Sequence, residues 1–185
     1  MAANIRILGF GFSLRAGSYS RIVMESAKSL LPPGAELELF DIGGIPPFNQ
    51  DLDSDQPQSV KDFKAKIRGA DALLIITPEY NYSIPGYLKN AMDWATRPPS
   101  DNSFDGKPTA LMSSSNGMHG GSRAQYHMRQ VFLFINVRAV TKPEVFLATV
   151  QDKIKDGVFV DEKGRDVIRR LLSNLVKLAS EGKEK

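Results

Sequence analysis

Residues Ala72-Leu73-Leu74-Ile75-Ile76-Thr77 form an apolar run that stops abruptly at Pro78. A run of this length without alternation fits a strand buried on both faces, and proline ends it. The chain continues Glu79-Tyr80-Asn81-Tyr82-Ser83-Ile84-Pro85-Gly86, and Leu88-Lys89-Asn90-Ala91-Met92-Asp93-Trp94 then starts a helix. In an open α/β sheet, a ligand sits at the loop leaving the carboxyl end of such a strand. Two tyrosines, an asparagine and a proline there offer flat apolar surface with a few hydrogen-bonding groups. That surface suits the edge of a planar heteroaromatic ring. Taken alone, the same residues also describe an ordinary proline-rich strand-to-helix turn.

The rest of the chain alternates strand and helix patterns. Ile5–Phe10 reads as a strand, followed by a Gly/Ser-rich loop to Ser20. Ile22, Val23, Ala27, Leu30 and Leu31 recur at helical spacing until Pro32-Pro33-Gly34 stops them. Leu37–Ile42 alternates as a second strand, and an irregular, proline-rich stretch runs from Gly43 to Pro57. Val60, Phe63, Ile67 and Ala70 mark a helix before the buried run. A strand at Pro108–Ser113 follows, then a Gly/Ser loop and a helix over Ser122–Phe134. The last sheet strand is expected at Ala139–Thr141, with a short extension at Val145–Phe146. Val158-Phe159-Val160 reads as a small β-ladder, and Val167, Leu171, Leu172, Leu175 and Leu178 as the stripe of a closing helix.

Five strands separated by helices imply a parallel sheet with right-handed crossovers. The expected fold is a flavodoxin-like, doubly wound α/β domain. It has three α/β/α layers and strand order 2-1-3-4-5, with residues 1–185 forming a single domain. The length of 185 residues suffices for a core without staples.

Composition excludes several function classes. With no cysteine, there is no disulfide framework, thiolate metal site or cysteine nucleophile, and a cytoplasmic setting fits. Met1–Leu8 enters a strand pattern with no signal-peptide core, and no run is long enough to span a bilayer. The charge balance is 24 Lys plus Arg against 21 Asp plus Glu, and the cations are scattered. No basic stripe interleaved with aromatics marks a nucleic-acid surface. The two histidines, His119 and His127, lack carboxylates at ligand spacing, so no metal site is expected. Glu181–Lys185 reads as a frayed tail.

The first loop, Gly9-Phe10-Gly11-Phe12-Ser13-Leu14-Arg15-Ala16-Gly17-Ser18-Tyr19-Ser20, joins a strand end to a helix start, where backbone N–H groups and the helix dipole favour an anion. Ser13, Ser18 and Ser20 add hydroxyl donors, and Arg15 adds a charged fork, a composition suited to a phosphomonoester. The loop fits neither a Walker A motif nor G-x-G-x-x-G. Ser18 and Ser20 have a second use open to them, as caps of the helix. The third loop, Ser113–Ser122, is rich in small residues that let backbone approach a ligand closely. Loops suited to phosphate, to a flat ring and to backbone donation describe a mononucleotide site, for which FMN is the best fit.

The motifs Ser13-Leu14-Arg15 with Gly17-Ser18, Thr77–Ser83 and Leu88–Trp94 resemble the flavodoxin-like NAD(P)H-dependent FMN reductases, in particular the bacterial quinone and chromate reductase branch. The resemblance continues through Ser114-Ser115, Gly117 and Gly120–Gln130 to Lys142-Pro143-Glu144, nearly the whole chain. It implies that Ser13, Arg15, Ser18 and Ser20 hold the FMN phosphate. Pro78, Glu79, Tyr80, Asn81 and Tyr82 would line the isoalloxazine and ribityl chain, with Ser115 and Gly117 approaching from the third loop. It implies an enzyme that passes hydride from NADPH or NADH to flavin, then electrons to quinones, azo compounds, free flavin or oxidised metal ions, in ping-pong order. The flavin carries the chemistry, so no catalytic side chain is named, and Glu79 reads as a residue that fixes its loop rather than as a catalytic acid. The alternative is an FMN-binding electron carrier without nicotinamide chemistry, which the Arg-bearing loop and basic balance disfavour. The family's homodimers and homotetramers make Arg123, Tyr126 and Glu144 expected interface residues. One position departs from the family pattern: Phe12 stands where glycine is usual. Its ring either crowds the phosphate or turns into the core, with Gly11 relieving the turn.

Overall fold

A computed structural model describes residues 4–182 of the chain. The tail expected to fray from Glu181 lies mostly outside these residues. β1 (Ile5–Phe10), β2 (Ala35–Leu39), β3 (Ala72–Pro78), β4 (Pro108–Ser114) and β5 (Arg138–Ala139) form a parallel sheet in the order β2-β1-β3-β4-β5. The helices are α1 (Tyr19–Ala27), α2 (Gln58–Gly69), α3 (Gly86–Ala95), α4 (Ser122–Ile135) and α5 (Glu162–Ser180).

Side-chain alternation divides the core in two. Leu74 and Ile76 of β3 join Ile5 and Ile7 against Val23 and Met24 of α1 and Leu171, Leu172 and Leu175 of α5. Leu73 and Ile75 join Leu8 and Phe10 against α2, α3 and α4 through Phe63, Leu88, Trp94 and Met128. This is why the run at 72–77 shows no alternation: both of its faces are covered by helices. The architecture is the flavodoxin-like three-layer one, and each loop at the carboxyl ends of β1, β3 and β4 emerges on the same side of the sheet.

Three expectations change. The second strand ends at Leu39 rather than Ile42, because Asp41 accepts a hydrogen bond from Gly43 N at 2.9 Å and turns Ile42–Gly44 into a 3-10 turn. The last sheet position is split between two segments. β5 pairs Pro108 and Thr109, while β6 (Val145–Leu147) pairs Met112 to Ser114 of the same β4. The sheet therefore has six strands rather than five. Pro143 lies in the gap and has no N–H to donate to a ladder. The apolar stripe of α5 is rotated from the expected one: Ile168, Leu171, Leu172, Leu175 and Ala179 are buried, while Val167 and Leu178 sit at its margins. The expected small ladder is the hairpin of β7 (Ile154–Lys155) and β8 (Val158–Phe159).

The Leu88–Trp94 motif has a mechanical explanation. Asn90 donates from Nδ2 to Pro46 O at 2.8 Å and accepts from Phe48 N at 2.7 Å. Trp94 Nε1 donates to the same carbonyl at 2.8 Å, and its ring meets Phe48 edge-on at 5.0 Å. One helix face thus satisfies backbone groups of the long irregular segment between β2 and α2.

Candidate active site

The carboxyl ends of β1, β3 and β4 open onto a cleft of about 470 Å³. Ser13, Arg15, Ser18, Tyr19 and Ser20 line it from the first loop, Pro78, Glu79 and Tyr80 from the second, and Ser114, Ser115 and Asn116 from the third, with Val150 beside them.

The first loop leaves β1 at Gly11, whose φ of +95° only glycine adopts readily. A Cβ there would stand 2.6 Å from the carbonyl oxygen of Ile76, on the neighbouring strand. With the turn made at Gly11, Phe12 points into the core and is 1% exposed. Burying a phenylalanine gains roughly 2–3 kcal/mol over leaving it wet, which decides its direction. The Arg21 guanidinium covers the Phe12 ring at 4.1 Å and pairs with Asp41 at 2.5 Å. Burial pulls the Asp41 carboxyl upward, but the Arg21 hydrogen bond, the Gly43 amide and the Arg21 charge together hold it below its ordinary value.

The serines of this loop are organised before any ligand arrives. Ser18 accepts from Arg21 N at 3.2 Å and caps α1, the second use its sequence position left open. Ser20 Oγ accepts from Ser13 N at 2.9 Å and lies 2.9 Å from Ser18 Oγ. Ser13 Oγ in turn meets the Tyr80 hydroxyl at 2.9 Å. Arg15 stacks over the Tyr19 ring at 5.1 Å, and no carboxylate pairs with it among the described residues. An unpaired guanidinium, a knot of hydroxyls and the N-terminus of α1 therefore share one end of the cleft.

The second loop closes as a two-residue hairpin turn. Tyr80 N donates to Ser83 O and Ser83 N to Tyr80 O, each at 2.9 Å, across Asn81 at φ +49° and Tyr82 at φ +69°. Paired positive φ values are those of a type I′ turn. The turn keeps Tyr80 on the cleft wall and carries Asn81 and Tyr82 beyond it. Tyr82 is 66% exposed, with the Arg123 guanidinium 3.9 Å from its ring centre. Glu79 has a structural task as well as a place on the wall. Its carboxylate accepts from Arg123 Nη1 at 2.9 Å, from Arg123 N at 3.2 Å and from Ala124 N at 3.4 Å. α4 has no capping side chain of its own, so Glu79 supplies acceptors for its first turn from 44 residues away.

The third loop is folded on itself. Ser115 Oγ accepts from Gly117 N at 3.0 Å, so that amide is engaged inside the loop. Gly117 does not reach the cleft wall, whereas Ser114 and Asn116 do. Ser113 lies behind the wall, its hydroxyl donating to Gly120 O at 2.6 Å and accepting from Gln125 Nε2 at 3.0 Å. Of the expected interface residues, Arg123 is held by Glu79, Tyr126 is exposed beside Phe146, and Glu144 lies 4.0 Å from Arg129. Tyr19, Ser114, Asn116 and Val150 are wall residues that the sequence gave no role: Ser114 belongs to a recognised motif, Tyr19 and Asn116 adjoin one, and nothing local marks Val150.

The cleft fits FMN. Its cationic, hydroxyl-rich end suits a phosphomonoester, its Pro78 and Tyr80 wall suits a flat ring, and its volume falls within the 300–1,000 Å³ of small-molecule sites. Residues 5–152 match the profile of the NADPH-dependent FMN reductases. The chain belongs to this family. Membership makes it an enzyme that works through FMN with a reduced nicotinamide as co-substrate. Among relatives of the family, an NAD(P)H-dependent FMN reductase of Pseudomonas aeruginosa is 46% identical over 177 residues, covering 95% of each chain. An NAD(P)H:quinone oxidoreductase of Solanum tuberosum is 42% identical over 189 residues, covering 97% of this chain and 96% of its own. The structure of FerB, a flavoenzyme NAD(P)H:acceptor oxidoreductase of Paracoccus denitrificans, superposes with a TM-score of 0.86 at 34% identity. That match covers 97% of this chain and 98% of FerB.

Proposed function

We propose that this reductase holds FMN with its phosphate at Ser13, Arg15, Ser18 and Ser20 and its ring system against Pro78, Glu79 and Tyr80. Asn81 and Tyr82 stand at the rim, and Ser115 lines the third side, its hydroxyl held from behind by the Gly117 amide. When bound, FMN supplies the two-electron chemistry, accepting hydride from NADPH or NADH and releasing electrons to an acceptor. The chain's own residues bind and orient: Arg15 and the serines fix the anionic end, and Tyr80 fixes the depth of the ring. The observation that carries this reading is the unpaired Arg15 beside the Ser13–Ser20 hydroxyls, in one cleft with the Tyr80 ring. No helix among the described residues is long and apolar enough to cross a membrane, and we place the enzyme in the cytoplasm.

The acceptors are small oxidants, quinones first, with azo compounds, free flavin and chromate or other oxidised metal ions as further candidates. Because nicotinamide and acceptor use the same cleft in turn, steady-state rates with NADPH or NADH against a quinone series should give parallel double-reciprocal lines. Intersecting lines would exclude the ping-pong order. A bound flavin that stays oxidised when mixed with either nicotinamide would overturn the reductase reading and leave an electron carrier.

We also propose that the enzyme is a homodimer, or a homotetramer built of dimers, and that α4 forms part of the contact. Leu133 and Phe134 are 84% and 85% exposed on that helix, and Tyr126 and Arg123 lie nearer its start. Apolar side chains so open on one helix mark an association surface. The double variant Leu133→Glu, Phe134→Glu is expected to elute as a monomer in size-exclusion chromatography with light scattering. An unchanged mass would remove α4 from the interface.

A further inference from the structure

The turn that carries Tyr80 is not self-sufficient. A type I′ turn favours Asn-Gly at its two central positions, because both need positive φ. Here the second is Tyr82, at φ +69°, a conformation that an aromatic side chain adopts rarely. A turn of this kind persists where its surroundings fix it, and here the fixing groups come from α4. Arg123 holds the near side, through Glu79 at 2.9 Å and the Tyr82 ring at 3.9 Å. His127, one helical turn on, holds the far side: its Nδ1 and Ser83 Oγ share a hydrogen bond at 2.9 Å. His127 is no part of the cleft wall. We propose that His127 is a positioning residue that, through Ser83, keeps Tyr80 on the wall of the FMN site. This rests on the reading of the cleft as the FMN site.

The route from His127 to the cleft is short and continuous. Tyr80 and Ser83 exchange both of their backbone hydrogen bonds, each at 2.9 Å, so the two residues move as one rung. Tyr80 OH then meets Ser13 Oγ at 2.9 Å, at the anionic end. A grip on the Ser83 hydroxyl therefore reaches the ring wall and, one contact further, the serine expected to hold the phosphate. Arg123 cannot replace that grip. It acts on Glu79 and Tyr82, before and within the turn, whereas Ser83 is the residue at which the chain leaves the turn for α3. With Ser83 released, the left-handed pair Asn81 and Tyr82 can relax toward ordinary backbone, and the rung that holds Tyr80 opens with it. Either tautomer of the imidazole can serve, since the Ser83 hydroxyl both donates and accepts.

The test loads the full-length enzyme with FMN and follows its release on dilution by the recovery of flavin fluorescence. His127→Ala and Ser83→Ala are each expected to release FMN about fivefold faster, the scale of one net hydrogen bond. The double variant should release it no faster than either alone, because both remove the same bond. His127→Asn, whose amide stands where Nδ1 stood, should restore most of the wild-type rate. Hydrogen exchange should show the Tyr80 and Ser83 amides opening faster in His127→Ala, with β3 unchanged. A wild-type rate in His127→Ala, no rescue by asparagine, or losses that multiply in the double variant overturns the role of His127. Faster exchange at the turn without faster release also overturns it. Wild-type enzyme that retains no FMN overturns the reading of the cleft, and the assignment of His127 with it.

Discussion

Gly11→Ala is expected to lower stability by about 3 kcal/mol and the melting temperature by roughly 6–12 °C for a chain of this size. Two separate costs add. A φ of +95° is adopted readily only by glycine, and forcing alanine into it costs of order 1–3 kcal/mol. The new methyl would then meet Ile76 O at 2.6 Å, in the backbone of the central strand, where no flexible side chain can yield. Overpacking of that kind costs typically 1–3 kcal/mol, and the stiffer unfolded chain returns only about 0.4–1 kcal/mol. The same variant should take up FMN poorly, because relief of the clash moves Phe12 and Ser13 together. Gly17→Ala is the control within the same loop. Its φ is not positive, and its Cβ would meet only the end of Arg15 at 3.5 Å. Thermal unfolding of the two variants side by side checks the argument; equal melting temperatures would contradict it.

Glu79→Ala should cost about 3 kcal/mol and loosen both the ring wall and the start of α4. Breaking a fully buried ion pair costs roughly 3–5 kcal/mol. The Arg123 side chain is 34% exposed against 12% for Glu79, so water recovers part of that and about 2 kcal/mol remains. The amides of Arg123 and Ala124 lose their acceptor as well, a loss comparable to that of an N-cap, about 1 kcal/mol. Glu79→Gln keeps an oxygen for the amides and should cost roughly half as much. Urea unfolding gives the magnitudes. Hydrogen exchange locates the effect, with the amides of Arg123 and Ala124 exchanging faster in Glu79→Ala alone. Wild-type unfolding midpoints in both variants would return Glu79 to the role of a simple wall residue.

What could be read in the sequence was what local pattern encodes. The run at 72–77, the glycine-rich exits from β1 and β4 and the stripes of the helices fixed the order of elements, because strand and helix periods are properties of neighbours. Partnerships across the chain left no such mark. Glu79 is expected beside the ring and as a brace for its own loop, but nothing local shows that it also serves α4, 44 residues later, which lacks a cap of its own. Nothing in the residues around Arg21 marks it as the side chain that covers Phe12 and binds Asp41. Tyr82 sits in a motif that resembles a ring wall, but the positive φ values at Asn81 and Tyr82 carry it off the wall to the rim. The split last strand was hidden for a related reason. β6 is recognisable only by its partner, β4, and Val145–Phe146 alone reads as a mere extension of the strand before it.

That split has a bearing on how the protein behaves at high concentration. A long, regular outer strand would present an unbroken row of amide and carbonyl groups, a template on which a second chain could add a strand. Here the outer position offers two residues, then an interval containing Lys142 and Pro143, then three more. The opposite border, β2, is five residues long and turns Glu36 and Glu38 to solvent. One border thus offers too few continuous partners and the other sets two carboxylates in the path of an added strand, both devices that oppose edge-to-edge association.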